Sequence, residues 1–176
     1  MQHMLQKRND LEIVEIIRKK PAHIRSISKK LDLIPSTVFR TLKNLEKEKV
    51  VDFRREGKNK IYYLKETTEA ETYLFITEHY KYLKLMQNPY IRRKILELKK
   101  IFKDELIVLF GSYAKGLETK HSDIDIYIET NKKISEIPEN IQIKRGKLDK
   151  NNALTKEIIH DHVIIQGVER FYQASK

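Results

Sequence analysis

The sequence predicts a mixed α/β (α+β) protein with a small N-terminal domain, a helical connector and a C-terminal mixed sheet with flanking helices. Apolar residues first recur at helical spacing and then alternate in a short basic hairpin. Helical spacing returns over residues 67–102, with an interruption at Asn88-Pro89. Short apolar runs then alternate with helical segments. These changes of period divide the chain into residues 1–66, 67–90 and 91–176.

Three helices are predicted at the start of the chain. Asn9 and Glu12 have the spacing of a capping box, which predicts that Asn9 caps the first helix. Pro35 suits the first position of the third helix, which continues to Lys47. The apolar residues at helical spacing in these segments are Ile13, Ile16, Ile17, Ile24, Ile27, Leu31, Val38, Leu42 and Leu45.

A basic β-hairpin is predicted next, because residues 50–55 and 61–64 flank the turn Glu56-Gly57-Lys58-Asn59. Three short helices followed by such a hairpin resemble a winged helix-turn-helix domain over residues 9–66. The resemblance implies that the third helix and the hairpin bind double-stranded DNA. The implied DNA-contacting residues are Ser36, Thr37, Arg40, Lys43, Arg54, Arg55, Lys58 and Lys60.

Two positions depart from the usual pattern of this domain. Ile34 stands where a Ser or Thr cap is usual, and Lys49 stands where a Gly usually ends the recognition helix. Neither departure removes a DNA-facing group. Two other interpretations stay open: the charged face is only solvated, or the winged helix docks a protein.

The net charge of +11 is uneven along the chain. Residues 1–66 contain 17 Lys and Arg against 9 Asp and Glu, a net of +8, whereas residues 67–176 carry a net of +3. An excess of positive charge in the N-terminal third favours a polyanionic partner there.

The composition excludes several classes of site. The chain has no cysteine, which excludes disulfides, zinc-thiolate sites and cysteine nucleophiles. No apolar stretch approaches the length of a membrane span, and the N-terminus lacks a signal-peptide core. We therefore expect a soluble, cytoplasmic protein without a membrane partner.

The connector, residues 67–90, is predicted to be a helix with two apolar stripes. The stripes are Tyr73, Ile76, Tyr80 and Leu83 on one side and Phe75, His79, Tyr82 and Met86 on the other. Because two apolar faces need two packing partners, we expect contacts with the winged helix and with the same helix of a second subunit in a homodimer. Packing between the two domains of one chain is the alternative.

The C-terminal segment carries a phosphate-and-metal pattern. Residues 106–110 predict a buried strand, and Gly111 then lets the backbone turn tightly and approach a ligand. Ser112 can offer its N–H and its hydroxyl to a phosphate. Asp123 and Asp125 alternate with isoleucines, so both carboxylates point to one face of a strand. Two oxygen ligands on one face suit Mg²⁺.

The same residues resemble the nucleotidyltransferase superfamily of the DNA-polymerase-β type, closest to its minimal nucleotidyltransferase branch. Its pattern is a hydrophobic residue, Gly-Ser, a ten-residue spacer and Asp-hydrophobic-Asp, and residues 107–128 match it throughout. The resemblance implies phosphoryl transfer in which two Mg²⁺ ions activate a hydroxyl and stabilise the leaving pyrophosphate. It also implies that Gly111, Ser112 and Lys115 bind a nucleoside triphosphate, while Asp123 and Asp125 hold the metals.

The third carboxylate of this family normally projects from the next strand. Residues 141–143 predict that strand, and Gln142 takes the expected position. A glutamine can ligate through its carbonyl oxygen but cannot act as a base. Asp149 is expected to lie past the strand. The cluster His160-Asp161-His162 is expected at a surface turn, and a metal role for it is the less favoured interpretation.

Two functional hypotheses follow. The first is a DNA-binding, transcription-regulating protein whose nucleotidyltransferase-like domain binds a nucleotide and Mg²⁺ with weak or absent turnover. The second is an active Mg²⁺-dependent nucleotidyltransferase, targeted by its winged helix and, in one variant, acting as an antitoxin on a helical toxin-like partner. Gln142 and the N-terminal charge favour the first.

Overall fold

A computed structural model describes residues 5–132 and 137–175 of the protein. The chain forms two compact units, Met1–Tyr80 and Lys81–Lys176, and each has its own hydrophobic core. The mixed α/β class predicted from the sequence is confirmed. Across the two described ranges, no helix combines the length and the apolarity that a membrane crossing needs.

Helices and strands follow one another in the order that the changing spacing of apolar residues indicates. The helices are α1 (Asn9–Lys19), α2 (Ile24–Leu31), α3 (Pro35–Lys47), α4 (Thr68–Leu85), α5 (Pro89–Ile101), α6 (Gly111–Lys115), α7 (Ala153–His160) and α8 (Val168–Ser175). The strands are β1 (Val51–Glu56), β2 (Asn59–Leu64), β3 (Leu106–Phe110), β4 (Ile124–Glu129), β5 (Ile141–Arg145) and β6 (Val163–Gln166).

The first unit contains a winged helix. Strands β1 and β2 pair antiparallel, from Val51 opposite Leu64 to a two-residue turn at Gly57 and Lys58. Gly57 has φ of +60°, the left-handed conformation that such hairpin turns require. The apolar stripes of the three helices and the hairpin meet in one core, whose buried members include Ile13, Val14, Ile17, Ile27, Val38, Leu42, Leu45, Val50, Val51 and Tyr62.

The start of α1 corrects one expectation. The helix begins at Asn9 itself, and Arg8 is its N-cap residue without a side-chain cap hydrogen bond. The cap lies one residue earlier than expected, and the Arg8 backbone N–H donates to the Tyr80 hydroxyl at 3.1 Å. The capping-box prediction was therefore wrong, and the Asn9 Oδ1 atom is buried with no hydrogen-bond partner in the described protein.

The end of α3 shows how Lys49 replaces the usual glycine. Lys49 adopts φ of +60°, its N–H donates to the carbonyl of Glu46 (3.1 Å), and the Val50 N–H donates to the carbonyl of Leu45 (2.9 Å). These bonds form a Schellman motif, which satisfies carbonyls that the helix leaves unpaired. The left-handed position is therefore kept although a lysine occupies it.

Helix α4 continues the chain from the first unit into the second. Tyr73 and Leu74 pack against the winged-helix core, and the Tyr73 hydroxyl donates to Glu48. Burial and, after it, the hydrogen bond to Glu48 together raise the pKa of Tyr73 to about 12. Ile76 and Leu83, from one predicted stripe, keep 41% and 52% of their surface exposed.

The second unit is a four-stranded sheet in the order β5-β4-β3-β6. Strand β3 is antiparallel to both neighbours, β4 and β6, and β4 is parallel to β5. The five residues of β3 are all buried, as expected for a central strand. Helix α5 covers one face of the sheet, and its N-cap residue is Asn88, whose side chain accepts from the N–H groups of Tyr90 and Ile91.

Candidate functional site

The turn from β3 into α6 sets Gly111 against Asp125. Phe110, the last residue of β3, pairs with Asp125 on β4, and Gly111 follows with φ of +69°. A Cβ atom on Gly111 would lie 2.2 Å from the Asp125 Oδ2 atom. Glycine is thus required both by the backbone conformation and by the carboxylate beside it. Ser112 lies in the first turn of α6, where helical N–H groups lack intrahelical partners.

Asp123 and Asp125 meet at the start of β4. Asp123 is exposed and Asp125 is half-buried, and alternation along the strand directs both side chains to one face. Burial raises the pKa of Asp125, and the negative charge of Asp123 raises it further. The positive charges of Lys144 and Lys115 oppose that rise. The two carboxylates are therefore close enough to repel each other electrostatically.

Gln142 occupies the position expected from the sequence. In the parallel pairing of β4 and β5, Gln142 lies opposite Asp125. Its side-chain Nε2 donates a hydrogen bond to the Asp123 Oδ2 atom at 2.6 Å. The amide thus acts as a donor to the first carboxylate. Asp149 lies after β5 and accepts from the backbone N–H of Asn151, so it contributes no carboxylate to the pair.

The residues present offer some of the oxygen ligands that a divalent cation needs, but not a full set. The mutual repulsion of Asp123 and Asp125 would be relieved by a cation between them. Residues 5–132 and 137–175 contain no group of three or more His, Cys, Asp or Glu side chains arranged to hold a metal. Two carboxylates and the Gln142 amide are what this part of the chain offers.

Two charged residues near the site were missed by the sequence interpretation. Glu157 on α7 accepts from the Lys115 Nζ at 2.6 Å, and this hydrogen bond raises the pKa of Lys115. Lys144 follows Gln142 by two residues on β5 and acts electrostatically on Asp125. The alternation of β5 could have indicated Lys144, since residues two apart share a face. No local signal indicates Glu157.

The histidine cluster separates into two environments. His160 is exposed, and its Nδ1 lies 2.9 Å from an Asp161 carboxylate oxygen. His162 is buried, with its Nδ1 bonded to the Ile158 carbonyl oxygen at 2.8 Å and its ring 4.5 Å from that of Phe171. The expectation of a surface turn was therefore wrong for His162, because its ring packs beside Phe171 in the interior of the second unit.

The predicted DNA-contacting residues on α3 and the wing differ in their exposure and in whether they already contact a partner within the unit. Exposed members are Ser36, Arg40, Arg54, Arg55 and Lys58, and partly exposed members are Thr37, Lys43 and Lys60. Three are engaged within the unit: Lys43 with Glu46 (2.9 Å), Arg54 with Glu56 (2.9 Å), and Lys60 over the Phe53 ring (3.6 Å). The exposed ion pairs of Lys43 and Arg54 contribute little to stability, so these two side chains can exchange their carboxylate partners for DNA phosphates.

Two apolar side chains, one at the N-cap of α3 and one on the helix, were not predicted as functional. Ile34 and Phe39 keep 65% and 44% of their surface exposed, beside the polar residues of α3. Periodicity could have indicated this for Phe39, which falls outside the stripe formed by Val38, Leu42 and Leu45, but not for Ile34, which has the spacing of that stripe and precedes the helix.

Comparison with known proteins supports the assignment of the second unit as a nucleotidyltransferase domain. A family profile described as "Nucleotidyltransferase domain" matches residues 91–175. Two proteins of Methanocaldococcus jannaschii, both carrying the provisional name protein adenylyltransferase, are similar to this chain. One is 36% identical over 88 residues, covering 45% of this chain and 88% of the relative. The other is 34% identical over 83 residues, covering 45% of this chain and 84% of the relative.

Solved structures similar to this chain include reduced HlyU from Vibrio cholerae and the adhesin competence repressor AdcR from Streptococcus pyogenes. HlyU is 20% identical with a TM-score of 0.38, covering 42% of this chain and 78% of HlyU. AdcR is 13% identical with a TM-score of 0.39, covering 58% of this chain and 83% of AdcR. Because these sequence identities and TM-scores are low, the winged-helix assignment depends on the helices, the hairpin and the core described above. Through its second unit, the chain belongs to the nucleotidyltransferase domain family.

Proposed function

We propose that this protein is a DNA-binding regulator whose nucleotidyltransferase domain binds a nucleoside triphosphate with Mg²⁺ and turns it over weakly or not at all. The observation that carries this proposal is the hydrogen bond from Gln142 to Asp123. In the family pattern a third carboxylate stands at this position and accepts the proton of the attacking hydroxyl. An amide is neutral and has no such capacity.

The nucleotide-binding residues retain the chemistry that phosphates need. Gly111 lets the backbone approach closely, and Ser112 offers an N–H and a hydroxyl at the start of α6. Lys115 can exchange its bond with Glu157 for a phosphate oxygen. Asp123 and Asp125 would hold the Mg²⁺, which when bound neutralises phosphate charge.

Duplex DNA is the proposed partner of the first unit. The supporting observations are the exposure of Arg40 on α3 and of Arg55 and Lys58 on the wing, together with the +8 charge of residues 1–66. Recognition by a helix in the major groove and by a wing on the backbone would need these positions. A regulator with this arrangement would bind half-sites as a homodimer in the cytoplasm.

A second candidate is an active protein adenylyltransferase. The provisional name of the two archaeal relatives favours it, because they match the same segment that carries Gly111 and Asp125. In that case the acceptor would be a hydroxyl of a protein, such as a helical toxin-like partner, and the winged helix would only direct the enzyme to its target.

The two candidates are separated by labelled-nucleotide transfer. The full chain is incubated with Mg²⁺ and ATP labelled at the α-phosphate, and both pyrophosphate release and label on protein are measured. We expect little transfer by the wild type and more by Gln142→Asp, which restores a proton acceptor. Asp125→Asn is the matched control that should show none. Robust wild-type transfer that disappears in Asp125→Asn would make the protein an enzyme.

A further inference from the structure

Four side chains of β4 and β5 share one face of the sheet. In the parallel register Asp125 lies opposite Gln142, and Tyr127 lies opposite Lys144. Because residues two apart on a strand point to the same face, Lys144 is on the face that carries the carboxylates. Lys144 is exposed, and its side chain makes no ion pair or hydrogen bond within the part of the chain that the structure describes. Its ammonium is therefore available to the site.

The charge of Lys144 acts on Asp125 from the neighbouring strand. The two residues are diagonal neighbours, about 8 Å apart along the sheet from the spacing and rise of its strands, which a lysine side chain can span. Burial and then the charge of Asp123 raise the pKa of Asp125, and the positive charge of Lys144 opposes that rise more strongly than Lys115 does. Lys144 thus supplies positive charge beside the proposed metal ligands.

Gln142 engages an oxygen that a second metal ion would need. Its Nε2 donates to the Asp123 Oδ2 atom at 2.6 Å, a short hydrogen bond to a charged acceptor. An amide at this position offers one negative ligand fewer than a carboxylate, and its N–H occupies a lone pair of Asp123. A second cation would therefore have to displace the amide and would gain no charged ligand.

Lys144 has the same net charge as the two groups that it would replace. A third carboxylate and a second Mg²⁺ together carry one net positive charge, as does a lysine ammonium. Lys115 and Glu157 form a neutral pair with 2.6 Å between their charged atoms, which leaves this balance unchanged. One Mg²⁺ with Lys144 thus presents a triphosphate with the same net charge as two Mg²⁺ with three carboxylates.

We propose that the site binds a single Mg²⁺ between Asp123 and Asp125, and that the ammonium of Lys144 contacts the triphosphate in place of a second ion. The inference rests on the proposed nucleotide binding and departs from the two-metal arrangement that the family resemblance implies. An ammonium offsets phosphate charge but cannot activate a hydroxyl by coordinating it, which agrees with weak turnover.

The first test counts metal ions per bound nucleotide. The full chain is dialysed to equilibrium against Mn²⁺ and the α,β-methylene analogue of ATP, which resists cleavage at the α-phosphate, and the excess of each on the protein side is measured. We expect about one Mn²⁺ per bound nucleotide for the wild type and about two for Gln142→Asp, which supplies a third carboxylate. Gln142→Asn, of the same size but neutral, is the matched control and should keep the wild-type ratio.

The second test removes the charge of Lys144. Lys144→Met keeps the length of the side chain and should weaken binding of the same analogue with Mg²⁺ about tenfold, because one charged contact with the triphosphate is lost. Lys144→Arg should retain most of the affinity. Lys103→Met, which changes an exposed lysine in the turn before β3, should leave the affinity unchanged. Calorimetry measures the affinities, and equal unfolding temperatures show that the variants are folded.

The outcomes separate this inference from the proposed function. Two Mn²⁺ per nucleotide in the wild type, or unchanged affinity in Lys144→Met, would overturn the inference while nucleotide binding stands. A single Mn²⁺ in Gln142→Asp would refute the part assigned to the amide, and an equal loss of affinity in Lys144→Arg would refute the part assigned to the charge. If the wild type retains no nucleotide, the proposed nucleotide binding fails and the inference fails with it.

Discussion

Asp125 is held in an environment that disfavours its charged form. Burial and, after it, the negative charge of Asp123 raise its pKa. A protein that only needed stability would place a neutral residue here. Retention of the carboxylate at an energetic cost is typical of a site that binds a cation or a ligand.

Asp125→Asn should therefore stabilise the chain in the absence of metal. Because the folded-state pKa is raised, ionisation of Asp125 costs stability above that pKa, and the cost vanishes below the ordinary carboxyl pKa, near pH 4. We expect a gain of less than about 1 kcal/mol at neutral pH, because partial solvent exposure screens the charge. Thermal unfolding in EDTA at neutral and acidic pH measures it.

The control for that measurement is Asp104→Asn, an exposed aspartate in a turn. It should leave the unfolding temperature unchanged at both pH values. Destabilisation by Asp125→Asn at neutral pH would show that the carboxylate is stabilising and contradict the electrostatic argument.

Lys49 provides a second test on single residues. A non-glycine residue in the left-handed conformation costs about 1 kcal/mol, which the flexibility of glycine in the unfolded chain partly offsets. Lys49→Gly should therefore stabilise the first unit by about 0.5 kcal/mol, measured as a higher midpoint in urea. Lys47→Gly, two residues earlier and still within α3, should lower the midpoint instead.

At the scale of elements, α3 and the wing would divide the work of binding DNA. Arg40 lies on the exposed face of α3, whereas Arg55 lies on β1 next to the hairpin turn. A helix in the major groove reads bases, and a wing contacts the sugar-phosphate backbone. The exposed Phe39 and Ile34 add apolar surface that could contact thymine methyl groups.

Arg55→Ala should weaken binding to all duplexes about equally and make the affinity less dependent on salt, because one phosphate contact is lost. Arg40→Ala should mainly change sequence preference. Both effects are measured by fluorescence anisotropy with a pool of labelled duplexes at several salt concentrations. Arg92→Ala, an exposed arginine on α5, should change neither. Binding that does not depend on salt would contradict the prediction.

At the scale of the whole molecule, α4 carries apolar surface that residues 5–132 and 137–175 leave exposed. Ile76 and Leu83 are seven residues apart, which places both on one face of the helix. Such a face is suited to the same face of a second copy, and a twofold dimer would match the symmetry of paired DNA half-sites.

The wild type should have about twice the 21.0 kDa chain mass in light scattering at micromolar concentration. Substitution of both Ile76 and Leu83 by lysine should yield the monomer, because two buried charges per subunit cannot be accommodated in an apolar interface. Leu96→Lys changes an equally exposed leucine on α5 and should leave the mass unchanged. A monomeric wild type would defeat the prediction.

The sequence by itself determined the elements whose signals are local. Pro35 at the first position and the stripe ending at Leu45 specified α3, and the turn at Gly57 specified the hairpin, because caps, turns and periodicity act over a few residues. The resemblance to the family, together with the strand predicted over residues 141–143, also placed Gln142 where the third carboxylate is expected, whereas its register opposite Asp125 is known only from the structure. The roles of these site residues stay predictions.

Only the tertiary structure decided the contacts between distant segments. Lys115 and Glu157 are 42 residues apart, and no local pattern could indicate that α7 brings its carboxylate to α6. The N-cap residue of α1, Arg8, donates its backbone N–H to Tyr80, 72 residues away. Tyr90 and Asn140 meet across 50 residues to line one cavity. Side-chain partners of this kind depend on how whole elements pack, which composition and periodicity do not encode.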